Sequence, residues 1–465
     1  MIKQTQIVFV LVALSLSWTF GQPVAAQAIS QSLHNQMATR FSQGDSPGMA
    51  VAIVANNALI YEEGFGVRDV ETQRPITSDM LFRNGSTNKM LVASALVEIL
   101  SDKNIGLDTP IGEFVEGLDE SIGSLTSHQL LTHTSGLADR ADDFGLHDES
   151  ALKINIESKK SEDFFAEPGD VFSYSNPGYD TAGYILAYLS GNTFANALDD
   201  RVLKPAGLSR STFRATEAMT YPFALPHRQT DDDEFQIIRP MPDNSAEWPS
   251  GLMYTTVGDL ARFSMMFMND GIALSGDRVL LPETIDTIAT AYIELPSSAA
   301  DGSYGYGLDI LDREGTLIWQ HGGAIAGFRA MITMVPERKV AIIVMLNAAA
   351  NPLLNEVTDL ILADMLGLES SDDNPALYPL PLAMAESIAG SYGQQEVSIR
   401  FVLENDVLVA QNQSGNVIGE VKLVDDARLA IVSEANPPTF LSIESDEDGE
   451  IKYIHRGSRA IRHLD

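Results

Sequence analysis

The sequence predicts an α+β protein: an antiparallel sheet flanked by helices, with a helical subdomain, followed by a small all-β, barrel-like domain. Strand-like runs lie near both ends of the stretch 27–368 with helical sequence between them, so one sheet must be assembled from distant segments. A segment at 369–381 carrying Pro375, Pro379 and Pro381 among Ser and Asp residues breaks the pattern as a linker does. Beyond it, 382–465 contains short apolar runs separated by turn residues such as Asn405-Asp406 and Asp448-Gly449. A chain of 465 residues exceeds one ordinary domain and can bury a large core.

Residues 1–26 place Lys3 ahead of an apolar run at 7–16 and then Val24-Ala25-Ala26, overlapped by Ala26-Gln27-Ala28, the layout of a cleaved secretory signal. The run is shorter than the ~20 residues a membrane span requires. No cysteine near the cleavage site offers a lipid anchor. The expectation is a periplasmic or secreted chain with no membrane insertion after signal cleavage. Ile29, Leu33, Met37 and Phe41 recur every four residues, an amphipathic helix. Runs 48–54 and 58–65, joined through Asn56-Asn57, read as a β-hairpin. The stretch 84–100, NGSTNKMLVASALVEIL, is apolar on every side after Ser86 and has no Pro or Gly there, which predicts a central buried helix with Ser86 as cap or first-turn residue. Strands are expected at 316–319, 330–335 and 340–346, with a turn at 336–339, and a helix over 353–366 closes the domain. In the last domain the strand-like runs are 397–403, 407–411, 417–424, 429–432, 439–443 and 451–454.

The absence of cysteine excludes disulfides, thiol catalysis and thiolate metal sites. A net charge of −34, from 64 acidic against 30 basic residues, argues against nucleic acid or anionic membrane as a partner. It suits a salty environment, or simply a soluble periplasmic protein. There is no H-E-x-x-H, the eight histidines are dispersed, and the Asp-rich runs at 139–143 and 231–233 lack calcium-loop spacing and read as solvated loops. No Gly-rich phosphate loop and no G-x-S-x-G elbow occur. No metal and no cofactor are expected.

Ser86 and Lys89 stand three apart at the opening of the central helix, which puts an amine one turn from a hydroxyl at the positive end of the helix dipole. A serine needs a base within hydrogen-bond reach, and a lysine serves when burial lowers its pKa. Alone the pair also reads as a capping Ser with a surface Lys, and S-x-x-K recurs at Ser150 and Lys153. Two further motifs accompany it: Tyr174-Ser175-Asn176, the only Y-x-N in the chain, and His321-Gly322-Gly323-Ala324 between two apolar runs. Pro168-Gly169 and Asn176-Pro177-Gly178 bracket Tyr174 with turn chemistry. Lys89 beside Tyr174 would favour a phenolate and lower the tyrosine pKa.

Together with LLTHTSGL at 130–137, Ser250-Gly251-Leu252 and TVGDLARF at 256–263, these motifs resemble the penicillin-recognising serine hydrolases, in the branch of class C β-lactamases, DD-peptidases and type VIII esterases. The resemblance covers roughly residues 30–366, and 382–465 looks like the C-terminal lipocalin-like module of some members. It implies the same fold class and assigns roles. Ser86 is the nucleophile, and Lys89 and Tyr174 move the proton. Asn176 holds the Lys89 amine or the substrate amide. The third motif, His321 to Ala324, borders the substrate, with the backbone N–H groups of Ser86 and Ala324 as oxyanion hole. His455-Arg456-Gly457 also fits H-x-G, but position favours His321.

A histidine where β-lactamases of this family carry the Lys of K-T-G is mostly neutral, so it holds a substrate carboxylate poorly and the H-x-G form resembles the esterase and D-aminopeptidase branches. His133 is expected in a structural turn. Tyr304-Gly305-Tyr306-Gly307 is expected to begin the strand before His321 with its tyrosines in core packing, while Trp319 and Phe328 either wall the acyl site or pack on the strand face.

The expectation is therefore an exported serine hydrolase forming an acyl-enzyme with small esters or D-amino-acid amides and peptides. The rivals are a penicillin-binding-like scaffold without turnover, a β-lactamase or DD-carboxypeptidase, and an assembly protein that polymerises through a sheet edge. The C-terminal domain is either a stability appendage or a shaper of the cleft mouth or of an oligomer.

Overall fold

The computed structural model describes residues 29–464 apart from 141, 143, 298–300, 370–374 and 434–436. The expected signal segment at 1–26 and part of the expected linker lie outside the described residues.

Helix α1 (Gln31–Phe41) is capped by Ser30, whose Oγ accepts from Leu33 N at 3.0 Å, and it buries Leu33 and Met37. The hairpin follows as β1 (Gly48–Ala55) and β2 (Ala58–Gly66), with Asn56 at φ 50° and Asn57 at φ 62°, the left-handed pair that a tight hairpin turn demands. A long helical insertion then carries α2 (Lys89–Asp102), α3 (Asn176–Ser190) and α4 (Val257–Met268). The sheet resumes with β3 (Ile293–Glu294), β4 (Ser303–Tyr304), β5 (Asp309–Arg313), β6 (Thr316–Ile325), β7 (Phe328–Val335) and β8 (Val340–Leu346), before α5 (Asn351–Leu366). Its eight strands run in the order β2-β1-β8-β7-β6-β5-β4-β3, antiparallel throughout.

The sheet closes because β1 and β8 pair directly, Ala52 opposite Ile343, although some 290 residues separate them in the numbering. Both strands are apolar on both faces, as strands covered on each side must be. Ala341, Ile343 and Met345 face the core shared with α2 and α4, while Ile342, Val344 and Leu346 face α1 and α5. Helix α2 lies inside the first of these cores: from Lys89 to Leu100 every residue except Glu98 is buried. The third motif does not lie between two strands, as the sequence suggested. It lies within β6, which runs on through it and turns directly into β7, because Gly322 and Gly323 keep extended backbone and pair with Met331 and Ala330.

After α6 (Leu382–Ile388) come β9 (Gly390–Gly393), β10 (Val397–Glu404), β11 (Val407–Gln411), β12 (Val417–Leu423), β13 (Arg428–Val432), β14 (Thr439–Ser445), β15 (Ile451–Arg456) and β16 (Arg459–His463). Their order is β12-β11-β10-β9-β16-β15-β14-β13, and pairing of β12 with β13 closes an eight-stranded barrel. Tyr378–Pro379 adds a short strand outside β12. Helix α6 sends Ala385 and Ile388 into the barrel core. Six of these strands were expected; β9 and β16 were not, since GSYG and RAIRH are too short and too polar to signal a strand by alternation. The barrel docks on the helical region through an apolar cluster of Ala138, Phe165, Ala166 and Val171 against Tyr453 and Ala460. Lys452 pairs with Asp170 at 2.5 Å, and Tyr453 Oη donates to the same carboxylate at 2.8 Å.

Among the described residues no helix is long and apolar enough to cross a membrane. Leu96 of α2 is fully buried in the core beneath the sheet. Leu96→Ala is expected to cost about 2–5 kcal/mol, read as a lower denaturant midpoint with unchanged slope.

Candidate active site

The segment before α2 is not yet α-helical. Gly85–Asn88 forms one 3-10 turn, so Ser86 stands a turn ahead of α2 rather than in its first turn. The cause is close packing against β6. Gly85 has φ 54°, and a Cβ there would lie 2.4 Å from Ala324 N; a Cβ on Gly323 would lie 1.9 Å from Asn84 O and 3.2 Å from Ser86 N. Only glycine admits two backbones at this distance. The Ser86 and Ala324 amides are thereby carried on abutting segments, and both residues border two adjoining cavities of about 390 and 450 Å³.

The Lys89 side chain is buried. Its Nζ lies 3.1 Å from Ser86 Oγ, 2.8 Å from Asn176 Oδ1 and 2.6 Å from Ser250 O. Two of these partners can only accept, whereas the hydroxyl can donate. A neutral amine therefore fits: it gives its two hydrogens to Asn176 and Ser250 and offers its lone pair to the Ser86 proton. Burial brings Lys89 down to about 7, against the opposing pull of the Asp180 and Asp139 carboxylates. Asp180, one turn beyond Asn176 on α3, is buried too and accepts from Ser250 N at 3.1 Å, fixing the backbone segment that holds the amine.

Tyr174 precedes α3, its ring 4.8 Å from Lys89 Nζ. Burial works against the expected phenolate. Burial raises the phenol well above its ordinary pKa and outweighs its hydrogen bond with Ser86. Lys89, itself brought down by burial, does not offset it. Tyr174 is a neutral phenol.

His133 and His321 are joined through one tyrosine. Ser175 N donates to His133 Nδ1 at 3.0 Å, which leaves His133 Nε2 to donate to Tyr304 Oη at 3.1 Å. Tyr304 then donates to His321 Nε2 at 3.1 Å, and His321 Nδ1 donates to Gly322 O at 2.6 Å. These tautomers follow from the partners. Burial takes His321 down to about 3, with the Lys89 charge acting in the same sense, so the third motif presents no cation. Tyr304, expected as core packing, is the link between two motifs. His133, at φ 60° in its turn, anchors the backbone of Ser175. Trp319 meets Phe267 edge-on, Phe328 meets Phe82, and neither borders the cavities.

The barrel reaches the same cleft. Tyr174 N donates to Ser458 O at 2.8 Å, and the Arg459 guanidinium lies 5.1 Å from the Tyr174 ring centre. Arg459 Nε pairs with Asp139 Oδ2 at 2.5 Å, while Asp139 Oδ1 accepts from Asn176 N at 2.9 Å. Gln394 of the barrel grips both sides, donating to Ser173 Oγ at 3.1 Å and accepting from Asp139 N at 2.6 Å. Asp139 is thus no solvated loop residue. Its carboxylate satisfies the start of α3 and the barrel arginine together, a tertiary pairing that local composition does not announce. Asp231 to Asp233 do lie in an exposed turn. Arg459 and Arg329 border the cleft without having been marked by any motif, and Ser250, marked only as part of a family-like phrase, borders it too.

The family model described as Beta-lactamase matches residues 26–364. Penicillin-binding protein 4 of Amycolatopsis lactamdurans is 27% identical over 362 residues, covering 75% of this chain and 93% of that protein. The D-aminopeptidase of Gluconobacter oxydans is 25% identical over 378 residues, covering 77% of this chain and 65% of that one. The crystal structure of SurE matches with a TM-score of 0.77 at 20% identity, over 93% of this chain and 98% of that chain, a likeness of fold.

Gly323→Ala tests the backbone approach. The added methyl must push β6 from the Ser86 turn, and a loss of about 10²–10³ in kcat is expected, with circular dichroism reporting retained secondary structure.

Proposed function

We propose, for a chain that belongs to the Beta-lactamase family and is a serine hydrolase, that Ser86 attacks a substrate carbonyl and carries the acyl group. Lys89 as the free amine takes the Ser86 proton while Oγ bonds to the carbonyl carbon. The Ser86 and Ala324 amides hold the oxygen that becomes negative. Tyr174, a neutral phenol, gives its proton to the leaving group and recovers one from the Lys89 ammonium. Water then takes the leaving group's place and releases the acid. Asn176 orients the amine, and His321 with Gly322 and Gly323 borders the substrate. The observation that carries this reading is the buried Lys89 amine, with two obligate acceptors and one hydroxyl at hydrogen-bond distance.

The substrate class proposed is small esters or D-amino-acid amides and peptides, and a neutral His321 supports it over substrates recognised at that position by a carboxylate. A second reading, a β-lactamase or DD-carboxypeptidase, has one observation in its favour: Arg329 and Arg459 border both cavities beside Ser86 and supply guanidinium groups that the third motif lacks. The layout of residues 1–26 supports export to the periplasm or beyond, with the hydrolase domain at 27–368, a linker at 369–381 and the barrel domain at 382–465.

Purified protein and its Ser86→Ala and Lys89→Ala variants are treated with a fluorophosphonate and a fluorescent penicillin, with intact mass as readout. Label on wild type alone is expected, and Ser86→Ala should lose more than ~10⁴ in kcat on p-nitrophenyl esters or D-alanine p-nitroanilide. A wild type that neither labels nor turns over favours the scaffold. The pH dependence has a definite sign. A base pulled down to about 7 is protonated below that pH, so kcat/KM should rise with pH and level off above about 7.

A further inference from the structure

The larger cavity contains a carboxylate that the proposed reaction does not use. Asp309 opens β5 one residue beyond the turn Tyr304-Gly305-Tyr306-Gly307, in register with Tyr304 across the pair. The turn is held against the nucleophile helix: Gly307 has φ 76°, and a Cβ on it would lie 2.7 Å from the Lys89 carbonyl. Asp309 is partly buried and shares the 450 Å³ cavity with Ser86, Tyr174, Tyr304, His321 and Arg459.

Several polar groups of that cavity are already engaged, Arg329 among them, which donates to Asn351 Oδ1 at 2.7 Å and Phe328 O at 2.8 Å. Arg459 pairs with Asp139, Tyr304 bridges the two histidines, and Tyr174 is hydrogen-bonded to Ser86. The Asp309 carboxyl has no hydrogen bond or ion pair among the described residues. An unpaired carboxylate partly withdrawn from water is costly, and a cation from outside relieves it. Among the described residues no group of three His, Cys, Asp or Glu could hold a metal ion. A single carboxylate beside the Tyr174, Tyr304 and Phe172 rings suits a compact organic cation instead, one that aromatic faces also attract.

We propose that Asp309 receives a primary ammonium group of the substrate, so that the substrate carries an unblocked amine near the carbonyl attacked by Ser86. The proposal rests on Ser86 as nucleophile and narrows the substrate class to amides or esters of amino acids with a free amino group. The net charge of −34 draws such cations to the protein in general, and Asp309 places the charge in the cleft.

Burial alone raises the Asp309 carboxyl to about 7, which gives the proposal a pH signature. The groups facing it are Tyr174 ahead of α3, Tyr304 of β4, His321 of β6, Arg329 of β7 and Arg459 of the barrel. His321 titrates near 3 and the tyrosines far above neutrality. Lys89 titrates near 7 as well but acts on every substrate, so it cancels in a ratio.

The test compares D-alanine p-nitroanilide with its N-acetyl form. In wild type, kcat/KM should favour the free amine by about tenfold or more, since tenfold corresponds to ~1.4 kcal/mol, within the range of a charge-assisted hydrogen bond. The preference should grow from about pH 5.5 to about pH 7.5, below the amine's own pKa of about 7.7. Asp309→Asn should abolish the preference through KM, and Asp309→Glu should restore part of it.

The variants also carry a stability signature. A carboxyl with a raised folded pKa loses stability as pH rises from its unfolded pKa, so Asp309→Asn should melt above wild type at about pH 8 and show little difference near pH 4. A wild type that accepts fluorophosphonate and cleaves both anilides with equal kcat/KM overturns the role of Asp309 alone. A wild type that accepts no label overturns the acyl-enzyme reading and this proposal with it. Should the variants fail to fold, the wild-type ratio and its pH course still decide.

Discussion

A lysine amine kept dry is the constraint on which the rest of the structure depends. Lys89 sits at the head of a helix buried on all sides, and its amine meets groups from three separate segments: Ser86 from the turn before it, Asn176 from the start of α3 and Ser250 from the turn Trp248–Gly251. Removing water disfavours the ammonium, and the three partners accommodate a neutral amine without leaving a buried hydrogen unmatched. The same dryness acts on every titratable group nearby, and in opposite directions according to chemistry. It lowers Lys89, His133 and His321 and raises Tyr174, Tyr304 and Asp309. Burial therefore disfavours charge at each of these groups, while the guanidinium groups of Arg329 and Arg459 stand on the border of the cleft.

Placing that amine requires backbones to touch. Gly85, Gly307 and Gly323 each occupy a point where a side chain would strike a neighbouring main chain, and together they press the Ser86 turn, the start of α2 and two stretches of the sheet into one junction. The amides of Ser86 and Ala324 come near one another through main-chain packing rather than through side-chain choice. In the proposed role as oxyanion donors, a pair placed in this way would need no rearrangement when charge develops between them.

The barrel is part of this arrangement. Its β15–β16 turn supplies Ser458 and Arg459 to the cleft, and Asp139 ties that turn to the first amide of α3, so the helix presenting Asn176 and the barrel share one carboxylate. With Lys452, Tyr453 and Gln394 also engaged, the docking surface combines an apolar cluster with polar contacts at its edge. The barrel therefore contributes residues to the border of the cleft as well as a docking surface.

Residue order by itself determined a good deal. Period-two and period-four patterns marked the hairpin, α1, the closing helix and six barrel strands, because each is a local alternation of apolar and polar residues. Ser86, Lys89, Tyr174, Asn176 and the His321 motif could be singled out because each carries a recognisable local signature. Charge states could not be read in the same way. The expected phenolate at Tyr174 assumed that a neighbouring cation decides its pKa, whereas burial of the phenol outweighs the groups that favour ionisation. Nor could Asp139, Tyr304, Arg459 or Asp309 be placed, since their partners, or lack of one, lie far away along the chain. Local pattern decides which elements form and which residues have the chemistry. Desolvation and pairing across distant segments depend on what the folded chain brings to the same few ångströms, and only the tertiary structure decided that.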